Sequence, residues 1–273
     1  MFRVILAAVT LAAAALSHTG CRADGARVSA DGDAAAQQRA PTGADAAFQR
    51  KTHVGARGER MRYLLFEPAD YDRRRKYPLV LWLHGGGSRG EDLDLILAHG
   101  DKHGPLFLAR PDNQKNYPAF VVAPQCPAGR FWSDTDSDQP SAEMRLVLEL
   151  LDRLRAEHSI DERRLYALGI SMGGYAAWDI ITRRPGMFAA AVPICGGGSE
   201  SRASLVTGTA VWAFHGDRDE AVNVSESRRM IAALRKAGAA TRYTEYEGVG
   251  HNSWERAFAE PDLLPWLFAQ RRK

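Results

Sequence analysis

From residue 61 onward the apolar positions switch repeatedly between two periods. MRYLLFEP (61–68) alternates, as a strand with one buried face does. YPLVLWLH (77–84) and PAFVVAP (118–124) are continuous apolar runs, the mark of strands buried on both faces. Met144, Val147, Leu148, Leu151 and Leu154 then recur at helical spacing. RLYALGI (164–170) predicts the next strand and 172–182 the next helix, which Pro185-Gly186 breaks. FAAAVPIC (188–195), TAVWAFH (209–215) and TRYTEYEG (241–248) read as three more strands. Helices are expected at 225–236 and, amphipathic, at about 262–271. Strands alternating with helices predict an α/β fold, a mostly parallel sheet with helices on both faces. In such sheets the reactive residues gather at the carboxyl ends of the strands.

The amino-terminal region has a different pattern. MFRVILAAVTLAAAALSHTGC carries Arg3 and then an apolar run over 4–16, the length of a signal h-region and short for a bilayer span. Residues 1–21 are therefore expected to be an export signal. Cys21 after Gly20 suggests a lipoprotein signal with a lipid anchor, although His18 stands where such signals usually carry Leu. The alternative is plain cleavage nearby and a soluble product. Either way the expected location is periplasmic, extracellular or membrane-anchored. Residues 22–52 are rich in Ala, Gly, Asp and Arg, with Val28 and Phe48 as their large apolar residues. Such a stretch buries too little to offset its ordering entropy and is expected to be a flexible linker. The catalytic domain is expected over 53–273, single and without a large cap, since the loops after 84 and 124 are modest.

Composition narrows the class further. Of 273 residues, 45% are hydrophobic and 25% charged, which excludes collagen, full disorder and a multi-span membrane protein. The net charge is +3 with no long basic run, so nothing points to nucleic acid. Three cysteines are too few for a disulfide scaffold and form no CxxC pair. Cys126 and Cys195 both end strands; they could pair after export, but small buried thiols are the preferred reading. His99 and His103 flank Gly100-Asp101-Lys102 without a third metal ligand in sight, and HExxH is absent. No metal or cofactor is expected.

The chemistry lies at the strand ends. The strand at 164–170 runs into Gly169-Ile170-Ser171-Met172-Gly173, a Gly-x-Ser-x-Gly turn between strand and helix. Small residues there allow a sharp turn that lifts the Ser171 hydroxyl above the sheet. The competing reading is a serine that merely caps the helix. A serine nucleophile needs a base, and His251 lies in the Gly-rich loop GVGHNSW past the last strand. The base needs an acid. Asp217, Asp219 and Glu220 compete after the strand at 209–215; Asp219 is chosen, with Asp217 the runner-up that more simply shapes the turn. The order Ser, Asp, His suits this sheet type. His84-Gly85-Gly86-Gly87-Ser88 follows the strand at 77–84, and its backbone N–H groups can turn toward a developing oxyanion. Gly86 and Met172 are the chosen donors, with Gly85 or Gly87 as substitutes for Gly86. His84 is expected to be structural. Trp132 and Trp254 lie in loops near the expected site and are candidate substrate-binding residues, with core packing as the alternative.

Taken together, YPLVLWLHGGGSRGEDL, VVAPQCP followed by Trp132, SIDERRLYALGISMGGYAAW, FHGDRDEAVNV and GVGHNSW resemble the α/β-hydrolase carboxylesterases. The nearest branch is the phospholipase/carboxylesterase and dienelactone hydrolase-like group, including secreted esterases described as predicted peptidases. The resemblance covers about 60–270 and implies the α/β-hydrolase fold. It places the family's nucleophile on Ser171, its acid on Asp219, its base on His251 and its second oxyanion donor on Gly86. Relatives often carry Glu where Ser88 precedes Arg89-Gly90, which concerns the loop's internal contacts and not the triad. The implied activity is hydrolysis of a small or carbohydrate-linked ester through an acyl-enzyme. A serine peptidase or amidase, and an idle α/β-hydrolase domain that binds without turnover, are the alternatives.

Overall fold

A computed structural model describes residues 47–98, 102–135 and 137–273. The expected export signal, Cys21, most of the expected linker, and His99 lie outside the described residues. Among the described residues no helix is long and apolar enough to cross a membrane.

Eight strands form one sheet: β1 (Gln49–Val54), β2 (Arg60–Phe66), β3 (Tyr77–Leu83), β4 (Phe120–Pro124), β5 (Ile160–Ile170), β6 (Ala190–Ile194), β7 (Ala210–Gly216) and β8 (Thr241–Tyr246). Their spatial order is β1-β2-β4-β3-β5-β6-β7-β8. β2 pairs antiparallel with β1 and β4, and every other pair is parallel. The apolar runs become the central strands: every residue of β3, β4 and β6 is buried. Both sheet faces carry a hydrophobic core.

The helices are α1 (Asp94–Leu97), α2 (Gly104–Ala109), α3 (Pro111–Asn116), α4 (Ala142–Glu157), α5 (Met172–Arg183), α6 (Ser225–Lys236), α7 (Trp254–Ala259) and α8 (Leu263–Ala269). The periodic residues of α4 are its buried face, and Ser141 caps it by accepting from the Met144 N–H at 2.9 Å. With α5 and α6 it supplies one core, around Trp178, Leu151 and Met230. α2, α7 and α8 cover the other face, around Trp82, Phe258 and Leu267.

Four departures from the sequence reading have physical causes. β1 starts at Gln49, inside the segment read as linker, because it is an edge strand whose outward residues are polar. Its order comes from the β2 ladder, and Phe48 before it packs on Phe66 at 5.5 Å between ring centroids. The chain between β3 and β4, read as a modest loop, holds α1 to α3, each too short to show a helical period. β5 begins at Ile160, four residues before the apolar pattern, where Tyr77 pairs with Ile160. The carboxyl-terminal helix is preceded by a separate short one, α7.

β3 and β5 are neighbours. From β3 the chain crosses outward to β4 on one side, and from β5 to β6, β7 and β8 on the other. The strand order reverses between them, and a crevice opens at their carboxyl ends.

Candidate active site

Two loops meet at that crevice. One follows β5, where Ser171 has φ 53° and ψ −118°, a strained conformation for a residue with a side chain. It is held by packing that tolerates no side chain nearby. A Cβ on Gly169 would lie 2.1 Å from the Gly173 carbonyl oxygen, and one on Gly173 would lie 1.8 Å from that of Leu83. The Ser171 N–H also donates to Ile194 O at 2.9 Å. Ser171 precedes α5 but makes no side-chain capping bond. Its hydroxyl donates instead to His251 Nε2 at 2.8 Å.

His251 Nδ1–H donates to Asp219 Oδ2 at 2.7 Å, so the serine, the imidazole and the carboxylate form one hydrogen-bonded relay. Asp219 Oδ1 accepts from the N–H groups of Ala221 (2.9 Å) and Val222 (2.8 Å), which fixes the carboxylate from the other side. The competing acids take other places. Asp217 accepts from the Gly248 N–H at 2.7 Å and ties the β7 turn to the histidine loop, while Glu220 is exposed.

The second loop follows β3. Gly86 opens a 3-10 turn over Gly86–Ser88, as Met172 opens α5. A first helical residue has no intrahelical acceptor for its N–H, so both groups are available to a substrate oxygen. Gly86, Met172 and Ser171 line one cavity of about 390 Å³, which Gly85 and Gly87 do not line. Here Ser88 donates its hydroxyl to Leu95 O at 2.9 Å, and Gln125 Nε2 donates to Ser88 O (3.1 Å) and Asp92 O (2.6 Å), which fastens the loop. His84 is buried beneath it, accepting from the Cys126 N–H at Nε2, 3.0 Å away.

The two tryptophans singled out by sequence take supporting places. Trp132 is fully buried, donates Nε1–H to His84 O at 3.0 Å and packs edge-on against the His84 ring. It supports the β3 loop from below and is not among the residues lining the cavity. Its neighbour Phe131 is 61% exposed and lines the cavity, with the Arg89 guanidinium over its ring at 5.1 Å. Trp254 is not among the cavity-lining residues; it stands edge-on to the His251 ring at 5.4 Å and buttresses it. Arg89, Tyr175, Ser133 and Thr135 also line the cavity, and nothing in their local sequence marked them.

The wall carrying Ser133 and Thr135 is clamped from below. Arg183 and Arg202 both pair with buried Asp179 and both donate to carbonyls of the 134–138 segment, among them Ser137 O. Burial pushes the Asp179 carboxyl up, against the pull of Arg183. Cys126 and Cys195 are free and buried, and burial raises both thiols to about 12. Among the described residues one group has metal-ligand spacing, Cys195 with Asp219 and His251 within 4.8 Å. Two of its three members are already bonded to each other.

Comparison with known proteins follows the same lines. Residues 127–262 match the dienelactone hydrolase family, a span that contains Ser171, Asp219 and His251 and begins after Gly86. A solved thermostable esterase is 38% identical, with a TM-score of 0.79, covering 83% of this chain and 64% of its own. Poly(3-hydroxyalkanoate) depolymerase C of Paucimonas lemoignei is 28% identical over 95 residues, 32% of this chain and 23% of the depolymerase. The bifunctional acetylxylan esterase/xylanase XynS20E of Neocallimastix patriciarum is 24% identical over 158 residues, 58% of this chain and 22% of that enzyme. The chain thus spans less than a quarter of either curated relative. Solved peptidases of 13 to 17% identity share the fold alone.

Proposed function

For a chain that carries a dienelactone hydrolase family domain in an α/β-hydrolase fold, we propose serine-dependent hydrolysis of carboxylic esters through an acyl-enzyme. The observation that carries this reading is the unbroken Ser171–His251–Asp219 relay opening into a cavity beside the N–H groups of Gly86 and Met172. Ser171 Oγ attacks the ester carbonyl while its proton passes to His251 Nε2. Asp219 holds His251 in the tautomer that accepts there and stabilises the imidazolium. The oxyanion takes the N–H groups of Gly86 and Met172, worth roughly 3–4 kcal/mol each to the transition state. His251 then protonates the leaving alcohol, and water activated by the same nitrogen releases the acid and restores Ser171.

The substrate we infer is a small or carbohydrate-linked ester. A cavity of about 390 Å³ holds a short acyl group, and exposed Phe131 at its rim offers a flat apolar face to a sugar or aryl ring. We further propose that the enzyme acts after export, on the strength of the apolar run at 4–16 following Arg3.

The test is the rate of p-nitrophenyl acetate hydrolysis by the protein and by its Ser171→Ala variant, beside the matching acyl anilide. Ester turnover that falls roughly 10⁴-fold or more in the variant, with little anilide cleavage, is the expected result. Equal rates for parent and variant would remove Ser171 from the mechanism. Faster anilide than ester turnover would make the protein an amidase. No turnover and no labelling by a serine-directed phosphonate would favour a binding domain.

A further inference from the structure

His215 is the last residue but one of β7 and lies fully buried behind Asp219. Its Nε2 sits 2.9 Å from Val222 O and 3.2 Å from Asp219 Oδ2. Both neighbours only accept, so Nε2 carries the proton and shares it between them. Oδ2 is also the oxygen that takes the His251 proton. The other ring nitrogen, Nδ1, lies 2.8 Å from Ser227 Oγ on α6, and that oxygen lies 3.0 Å from Gly196 O just past β6. The ring is therefore fixed by three residues, two on the loop after β7 and one on α6, and His215 is not among the cavity-lining residues. Burial, opposed by Val222 O and Asp219, holds the imidazole below its ordinary pKa and hence neutral near pH 7. In that state Nδ1 accepts from the Ser227 hydroxyl.

We propose that His215 is a positioning residue of the triad, a second imidazole that orients Asp219 through Oδ2 and sets how tightly His251 holds its proton. This rests on the hydrolase reading for its consequence in turnover, and on geometry alone for the coupling itself. The physical reason is the division of charge on one oxygen. Each donor to Oδ2 draws negative charge from it. With His215 present, less charge remains on Oδ2 to stabilise a His251 imidazolium. Without that donor, Asp219 is under-solvated and can turn, and His251 stays protonated to higher pH. The other titratable or charged groups facing this network are Cys195 at the end of β6, Tyr175 on α5 and Glu245 on β8. None of them donates to Oδ2 among the bonds seen.

The test uses two substitutions of similar size. His215→Gln can place an N–H near the position of Nε2, whereas in His215→Asn the amide reaches only as far as Nδ1. The expected result for His215→Asn is a kcat roughly 10- to 100-fold lower at pH 7 with KM little changed. The acid limb of its kcat/KM profile should move to higher pH, with substantial recovery of both in His215→Gln. The same midpoint, followed as the His251 ring titration by ¹H–¹⁵N NMR, should rise in His215→Asn and needs no substrate. Thermal melting of each variant identifies loss of fold. If His215→Asn does not fold, Ser227→Ala loosens the same ring from outside and should move the midpoint in the same direction, less far. In the parent protein the His215 nitrogen shifts should report a neutral ring protonated at Nε2 from pH 6 to 8. A ring protonated at Nδ1 alone, an unmoved His251 midpoint in folded His215→Asn, or equal impairment of the Gln and Asn variants would overturn the proposal. A parent that neither turns over esters nor reacts with a phosphonate would sink the hydrolase reading, while the NMR titration would still decide this one.

Discussion

At the scale of single residues, adjacent positions on one loop have opposite tasks. Phe131 faces solvent at the cavity rim, and Trp132 is sealed beneath the β3 loop. Phe131→Ala should raise KM several-fold for an acetylated sugar and leave turnover of a simple alkyl acetate near the parent rate. Steady-state kinetics on the two substrates checks this. Trp132→Phe keeps most of the buried area but leaves His84 O without its indole donor. It should lower stability by about 1–2 kcal/mol in urea unfolding, with KM unchanged. Sequence pattern pointed to Trp132 because a tryptophan in a loop is a conspicuous residue. Which of two neighbouring aromatics points inward is set by the turn between β4 and α4, and no periodicity covers that turn.

At the scale of elements, two connections carry more than their lengths suggest. β1 has little buried surface of its own and is ordered by six pairings to β2. A chain begun at residue 53, the expected start of the catalytic domain, would leave β2 an edge strand with most of its β1 pairings lost and would uncover Phe66. It should melt at lower temperature and aggregate more readily than one begun at residue 47, as thermal scans with light scattering would show. The second connection is the clamp of Arg183 and Arg202 on Asp179 and on the 134–138 segment. Arg183→Met leaves a buried carboxylate with one cation in place of two. It should cost about 3–5 kcal/mol and raise KM through the loosened cavity wall. Adding Asp179→Leu should return much of the stability but not the KM, which separates the ion pair from the wall it holds.

For the whole molecule, burial of histidines links folding to pH. His53, His158 and His215 are all held below the ordinary histidine pKa, in each case first by burial. Once the chain unfolds, they take up protons at their ordinary value of about 6.5. The unfolded state then binds more protons than the folded one, so stability rises with pH across this window. Read downward, stability should begin to fall as pH drops through about 6.5 and continue to fall toward the lowered folded values. Melting temperatures between pH 7.5 and 5 should show this slope, and His53→Leu, which removes one of the three groups, should flatten it.

Much of the architecture was legible because it follows from local rules. Buried parallel strands must be apolar along their length and surface helices must repeat every three to four residues, so strand and helix order could be read from the pattern. The turn at Ser171 could be read as well, because the close approach of α5 to β3 and β5 leaves room only for glycine at 169 and 173. Chain order did not separate Asp219 from Asp217 and Glu220, since all three lie between Ser171 and His251; the resemblance to the α/β-hydrolases pointed to Asp219. Only the folded chain puts it 2.7 Å from His251 Nδ1 and sends Asp217 to the Gly248 N–H. The polar edge strand β1, the one-turn helices α1 to α3, the exposed face of Phe131 and the place of His215 behind the carboxylate left no periodic trace. Each depends on what lies across the sheet or across a loop, and sequence spacing carries no information about a neighbour dozens of residues away. The order of elements and the turn that presents Ser171 were thus determined locally, while the pairing of Asp219 with His251, the lining of the cavity and the support behind Asp219 were decided by long-range packing.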